Sequence, residues 1–223
     1  LITTGRRMAG ISIGIRRRSA YRTKTIHIQD SRLPAHLFDL CIVPQHDPLA
    51  RLADSTTSHN HIIVSTGSLN RIRPEDISAA ATGSAHSAWP KHRFIAVMLG
   101  GASRSGRMNP QQLKQLSHHL GLLAQQTQTE LMLIPSRRTG ANVIHALAQH
   151  LENHSPSVRF SLTQDRQEDP YLYALGRAEM IVVTADSVNM TTEACITGKP
   201  VFTAAITPLS SRLQAFHSHM QHL

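Results

Sequence analysis

The feature that most constrains the fold is a regular alternation, from residue 94 to the end of the chain, of short apolar runs with helical stripes. RFIAVMLGG (93–101) reads as a strand running into a glycine turn, and NPQQLKQLSHHLGLLAQQT (109–127) sets Leu113, Leu116, Leu120 and Leu123 at helical spacing. Then come strand ELMLIPS (130–136), helix GANVIHALAQHLEN (140–153), strand VRFSL (158–162) and a short helix PYLYALGRA (170–178). Strand MIVVTAD (180–186), helix VNMTTEACIT (188–197), strand PVFTAAI (200–206) and a last helix from about Leu209 complete the series. Strands separated in this way by helices predict an α/β fold with a parallel sheet covered on both faces, because right-handed crossovers leave few other arrangements.

Residues 1–77 repeat the theme less completely. LITT, KTIHIQ, FDLCIVP and HIIVST are strand candidates, with one helix expected between Arg7 and Ser19. The stretch EDISAAATGSAHSAWPKH (75–92) is poor in large apolar residues and rich in Ala and Ser, which reads as a linker. Two domains are therefore expected, residues 1–90 and 91–223, the first lacking its opening strands. Two such domains facing each other would direct their strand ends at a cleft, where ligands of open α/β sheets sit.

Composition narrows the ligand. The 23 Lys and Arg exceed the 14 Asp and Glu, which favours anionic partners and leaves room for peripheral contact with an anionic membrane surface. No apolar run approaches the ~18–20 residues of a membrane-spanning helix, so a soluble globular chain is expected, and its unpaired cysteines fit a reducing compartment, the cytoplasm. Cys41 and Cys195 form no CxxC pair and read as buried free thiols. The 15 histidines show no HExxH and no zinc-finger spacing, so neither a metal nor a cofactor is expected. Nucleic acid is not expected as a partner, since aromatics are 4% and no helix-turn-helix or RNP-type signature occurs. The chain opens on Leu1 without an initiator Met or signal-peptide pattern, and is read as a fragment.

Three segments at strand ends carry the chemistry. In MLGGASRSGRMN (98–109), Gly100 and Gly101 would let backbone N–H groups approach an anion, Arg104 or Arg107 could pair with it, and Asn109 could cap the next helix. A tight turn is the bland alternative. In PSRRTG (135–140), Ser136 or Thr139 could cap a helix while Arg137 and Arg138 offer two guanidinium forks, although surface arginine pairs are commonplace. In ADSVNMTTEACITGKPV (185–201), Asp186 and Ser187 are capping types and Gly198 before Pro200 is a helix stop. These local rules leave Glu193 unexplained; it is either a solvated acid or one that accepts hydrogen bonds from sugar hydroxyls. In VPQHDP (43–48), His46 beside Asp47 reads as a general base with an orienting carboxylate, or as a capped turn.

Taken in order, TTGRR, FDLCIVPQHD, STGSLNRIRPE, LGGASR, PSRRTG, DPYLYAL and ADSVNMTTEACITGKPV resemble the mitochondrial fission family of the elongated-mitochondria type. Its bacterial members often carry the label of predicted nucleoside-diphosphate-sugar epimerase. The resemblance spans nearly the whole chain. It implies a fold similar to the glycosyltransferases with two facing Rossmann-like domains (the GT-B type), the second holding a nucleotide-sugar. By that analogy Glu193 would bind the ribose, and Gly100, Gly101, Ser103 and Arg104 would lie near the diphosphate. Ser136, Arg137, Arg138 and Thr139 would line the cleft, with Asp186, Ser187 and Met190 at the next strand end.

The family's Pro-Glu-His-Asp reads Pro44-Gln45-His46-Asp47 here, which removes any role for that glutamate. The epimerase label fits poorly, because a short-chain-dehydrogenase epimerase needs an N-terminal GxxGxxG and a Tyr-x-x-x-Lys pair, and neither occurs. The resemblance thus implies a nucleotide-diphospho-sugar as ligand, with transfer to an unknown acceptor and with His46 or Asp47 as base. The rival expectation is a non-enzymatic regulator or scaffold that retains the fold.

Overall fold

The structure is a computed structural model that describes residues 1–53, 61–82, 89–101, 108–163, 170–205 and 208–223. The elements are β1 (Ile2–Thr4), α1 (Arg6–Arg18), β2 (Ile26–Ile28), β3 (Leu40–Pro44), β4 (Ile62–Ser65), α2 (Pro74–Thr82), β5 (Phe94–Leu99), α3 (Pro110–Thr127) and β6 (Glu130–Pro135). They continue as α4 (Ala141–His154), β7 (Phe160–Leu162), α5 (Pro170–Arg177), β8 (Met180–Thr184), α6 (Val188–Cys195), β9 (Val201–Ala204) and α7 (Ser211–Gln221). Every predicted strand is present, and all pairings are parallel.

The chain divides into two compact units, one made of Leu1–Asn70 with Ser211–Leu223 and the other of Arg71–Ser210. This differs from the boundary expected near residue 90 in two ways. The Ala-rich stretch read as a linker contains α2, which packs on α5. Arg177 Nη1 donates to Ala81 O at 2.9 Å, and Ile77 enters the core beside Tyr173 and Ala174. Small residues suit that close approach, so low apolar content here marks tight packing and not a tether. The last helix, expected in the second domain, belongs to the first unit.

In the second unit the sheet order is β7-β6-β5-β8-β9. β5 is buried along its whole length, and its alternating side chains feed two cores. Phe94, Ala96 and Met98 pack with Ile134, Tyr173, Leu175, Ile181 and Ala194 on one face. On the other, Ile95, Val97 and Leu99 meet Leu120, Leu133, Leu147 and Leu151. α3 begins at the expected cap: the Gln112 N–H donates to Asn109 Oδ1 at 2.8 Å, and the Asn109 N–H donates to Gln112 Oε1 at 2.9 Å.

In the first unit the order is β1-β2-β3-β4, over a smaller core of Ala9, Ala35, Phe38, Cys41, Val43, Leu49, Ala50 and Ile62. Arg16, from the basic run at the end of α1, is held by Asp39 at 3.0 Å. Of the two thiols Cys41 is buried, but Cys195 is exposed, contrary to expectation, because it falls on the outer face of α6.

Candidate functional site

The second sheet reverses direction at β5: the chain runs outward through β6 and β7, then returns to place β8 and β9 on the other side. Its switch point therefore lies at the carboxyl ends of β5 and β8, the position where open α/β sheets bind ligands. Gly100 leaves β5 there, and its N–H donates to Thr184 Oγ1 at 2.6 Å. A Cβ at Gly100 would collide with both carboxylate oxygens of Asp186, and one at Gly101 with the backbone carbonyl of Arg138. Close approach thus favours glycine at both positions, most strictly at Gly101 where the obstacle is backbone, which the bland turn reading does not explain.

The 135–140 segment braces that loop. The Ser136 N–H donates to Leu99 O at 2.9 Å, and the Thr139 hydroxyl lies 2.7 Å from Leu99 O and 2.8 Å from Gly100 O. Ser136 Oγ is 3.0 Å from Thr139 Oγ1. Neither side chain caps α4, whose N-cap is Gly140 without a side-chain bond. The strand-end carbonyls take the Thr139 hydroxyl, while Ser136 Oγ turns to Thr139 Oγ1 and accepts from the Arg138 N–H at 3.3 Å. Arg137 and Arg138 are exposed, and among the described residues neither has an ion-pair partner.

After β8, Ser187 caps α6 by accepting from the Met190 N–H at 3.4 Å. The Met190 side chain itself is part of the core. Asp186 is buried, and neither of its carboxylate oxygens has a hydrogen-bond partner among the described residues. Glu193 lies further along α6, where the Tyr171 hydroxyl donates to its Oε2 at 2.5 Å. Burial pushes the Glu193 carboxyl above its ordinary range, and the Tyr171 bond pulls partly back.

The structure therefore brings Gly100, Gly101, Ser136, Arg138, Thr139, Asp186 and Ser187 to one sheet edge. Glu193 is tied to Tyr171, with no hydrogen bond to these loops among the described residues. Ser103 and Arg104 lie outside the described residues. Thr184 and Tyr171 are the contributors that sequence reasoning missed. Thr184 gave no signal beyond being polar at a strand end, whereas Tyr171 stood in the DPYLYAL motif without a role.

In the first unit, His46 and Asp47 do not form the expected base-and-orienter pair. Their closest approach is 4.0 Å, and each side chain is 1% exposed. The His46 ring packs edge-on against Phe216 of α7, with centroids 4.9 Å apart. Burial, then the Arg212, His219 and His217 charges, push His46 down to about 4. Asp47 is instead committed to Arg212, whose Nη2 is 2.5 Å from Oδ1, and to the Asp30 N–H, which donates to Oδ2 at 3.2 Å. No local pattern in the sequence announces Arg212, because it reaches Asp47 only through the return of α7.

A second, open depression of the Arg71–Ser210 unit, about 710 Å³, is lined by Trp89, Lys91, Glu130, Glu152 and Arg159 among others. It lies at the amino ends of β5, β6 and β7, the wrong edge for ligands of such sheets. Among the described residues, no group of three or more His, Cys, Asp or Glu is placed to hold a metal ion. No described helix is long and apolar enough to cross a membrane.

Comparison with known proteins adds four findings. A family model described as mitochondrial fission ELM1 matches residues 1–223. The mitochondrial fission protein ELM1 of Arabidopsis thaliana is 27% identical over 239 aligned residues, covering 99% of this chain and 55% of that protein. An uncharacterised protein of Rickettsia prowazekii is 26% identical, covering 91% of this chain and 63% of that protein. The chain thus spans about half to two thirds of the length of these relatives. Among solved structures, the UDP-GlcNAc 2-epimerase of Methanocaldococcus jannaschii superposes with a TM-score of 0.58 at 15% identity, covering 99% of this chain and 68% of that one. The shared feature is the α/β fold with parallel sheets. An epimerase can therefore have this fold, and the missing dehydrogenase-type motifs argue only against a different architecture.

Proposed function

Since the chain belongs to the mitochondrial fission ELM1 family, with the fold of a nucleotide-sugar enzyme, we propose that its second unit binds a nucleotide-diphospho-sugar at the β5–β8 switch point. One observation carries this reading: Asp186 is a buried carboxylate without a hydrogen-bond donor among the described residues, set against a glycine at the edge where open α/β sheets bind ligands. Buried polar groups are almost always satisfied, so a ligand hydroxyl is the natural donor. The N-terminus of α6 and the exposed guanidinium groups of Arg137 and Arg138 supply the positive potential that a diphosphate needs. Glu193 is the candidate for the ribose, in exchange for or alongside Tyr171.

If the sugar is transferred, helix N-termini and arginines neutralise the leaving diphosphate without a metal. The 1% exposure of the His46 and Asp47 side chains favours a second reading, in which a regulator or scaffold of this family keeps the donor pocket but performs no chemistry.

A calorimetric screen against UDP-, GDP-, ADP- and CDP-sugars tests the proposal. Saturable binding of one nucleotide class, weakened by Arg138→Gln, is the expected result. A folded protein that binds none of them removes the donor site and leaves the scaffold reading.

A further inference from the structure

The first sheet has its own cavity at its strand ends, of about 70 Å³, lined by Arg6, Gln29, Asp30, Arg32, Asp47, Pro48 and Arg212. At roughly 30 Å³ of liquid volume per water molecule, that is room for one small polyatomic group. Its lining comes from the start of α1, from the loops after β2 and β3 and from α7, so three arginines from separate elements border it.

The charge at this cavity is not balanced. Asp30 is engaged by Arg32, whose N–H donates to Oδ1 at 2.8 Å and whose Nε lies 3.6 Å from Oδ2. Asp47 takes Arg212. Arg6 is left without an acidic partner among the described residues. It opens α1, which has no acidic residue in its first turn and no side-chain cap at Gly5. Asp47 Oδ1 is ion-paired with Arg212 Nη2, 2.5 Å away, but among the described residues this deeply buried oxygen accepts no aligned hydrogen bond.

A group that fits must be an oxyanion for the arginines and must also present one O–H to a buried carboxylate. We infer that this cavity binds a phosphate group in its monohydrogen form, Arg6, Arg32 and Arg212 engaging its oxygens and Asp47 accepting its proton. Sulfate has the same shape and charge but no proton at neutral pH, and would set an unprotonated oxygen against Asp47. The site therefore selects phosphate over sulfate. It lies wholly in the unit formed by Leu1–Asn70 and Ser211–Leu223, and does not depend on nucleotide-sugar binding by the other unit. If transfer does occur, a phosphate-bearing acceptor is the class of molecule this site would hold.

The test is calorimetric titration of the full chain with inorganic phosphate and with sulfate at pH 7.5 and equal ionic strength. Wild type is expected to bind phosphate at least tenfold more tightly than sulfate. Arg6→Gln, an exposed substitution that disturbs no described ion pair, is expected to weaken phosphate at least fivefold. Asp47→Asn should abolish the preference over sulfate, with circular dichroism checking that α7 stays folded. Arg138→Gln shows whether phosphate goes to the other unit instead. No phosphate binding, equal affinity for sulfate, indifference to Arg6→Gln, or loss only with Arg138→Gln would each overturn the assignment.

Discussion

At the scale of single residues, the two glycines after β5 look alike in sequence but differ in what a methyl group would strike. At Gly100 it meets the end of the Asp186 side chain, which can rotate; at Gly101 it meets the Arg138 backbone, which is fixed by Ser136 and Thr139. Gly101→Ala should therefore cost about 1–3 kcal/mol, the usual range for overpacking, and Gly100→Ala less. Urea denaturation of the two variants gives the comparison directly, and equal losses would mean that the 136–139 turn yields as easily as a side chain. Glu193 carries a second prediction. Glu193→Ala should weaken nucleotide-sugar binding by about 1–3 kcal/mol, the worth of a charged hydrogen bond, beyond any effect on folding. Because burial raises its pKa, the carboxylate a ribose needs forms later than in a free glutamate. Donor affinity should rise with pH through that raised value and lose this dependence in Glu193→Gln. The same raised pKa makes the folded state bind a proton more tightly than the unfolded one. Its contribution to stability is then full below the ordinary glutamate range and declines as pH rises through the folded value.

Elements add contacts that no single residue reveals. Lys199 donates from Nζ to Leu175 O at 2.8 Å and Gly176 O at 2.7 Å, closing the carboxyl end of α5 from beyond α6. Lys199→Met should release those carbonyls and cost about 1–2 kcal/mol, read as a lower thermal midpoint and faster amide exchange in α5. In the other unit α7 is pinned by Arg212 to Asp47 and by Phe216 to His46. His46 is lowered to about 4 in the fold, so the unfolded chain takes up its proton first as pH falls. Stability tied to this ring is complete above its ordinary value near 6.5 and is lost progressively between about 6.5 and 4, on the order of 2–3 kcal/mol. Asp47, raised by burial, works in the opposite sense and blunts the loss near its lower end. His46→Leu should flatten the pH profile of unfolding, whereas an unchanged profile would place the acid-labile group elsewhere. Elements were also what the sequence disclosed best. The strands and all helices but one follow from apolar period and from caps such as Asn109–Gln112, which are local. α2 was missed because its small residues satisfy a packing demand set by α5, and Arg212–Asp47 because it joins two ends of the chain. The glycine loop and the arginine turn were legible as polar strand ends, but their bracing by Thr139 and Thr184 was not, since a threonine's partner is decided by tertiary placement.

For the whole molecule, the decisive fact is connectivity: the chain leaves the first unit at Asn70, builds the second, and returns at Ser211 to finish the first. The second unit is thus continuous in sequence and owns both faces of its sheet, with separate cores beneath and above β5. The first unit has one small core and depends on residues made last. A fragment comprising 71–210 should therefore fold alone and unfold cooperatively, since it lacks none of the side chains that its cores use. Ending the chain at Ser210 should have the opposite effect on the first unit. It removes the Arg212 guanidinium and the Phe216 ring, leaving a buried carboxylate uncompensated and a ring cavity open, losses of about 3–5 kcal/mol each when taken singly. So large a deficit is comparable with the whole stability of a small unit. Hydrogen exchange on the truncated chain should show α1 and β1–β3 unprotected while β5, β6 and β8 keep their protection. Loss of protection in both units would mean that they fold as one cooperative body; protection retained in both would mean that α7 contributes little and that Asp47 is neutralised by Arg32 or by a proton.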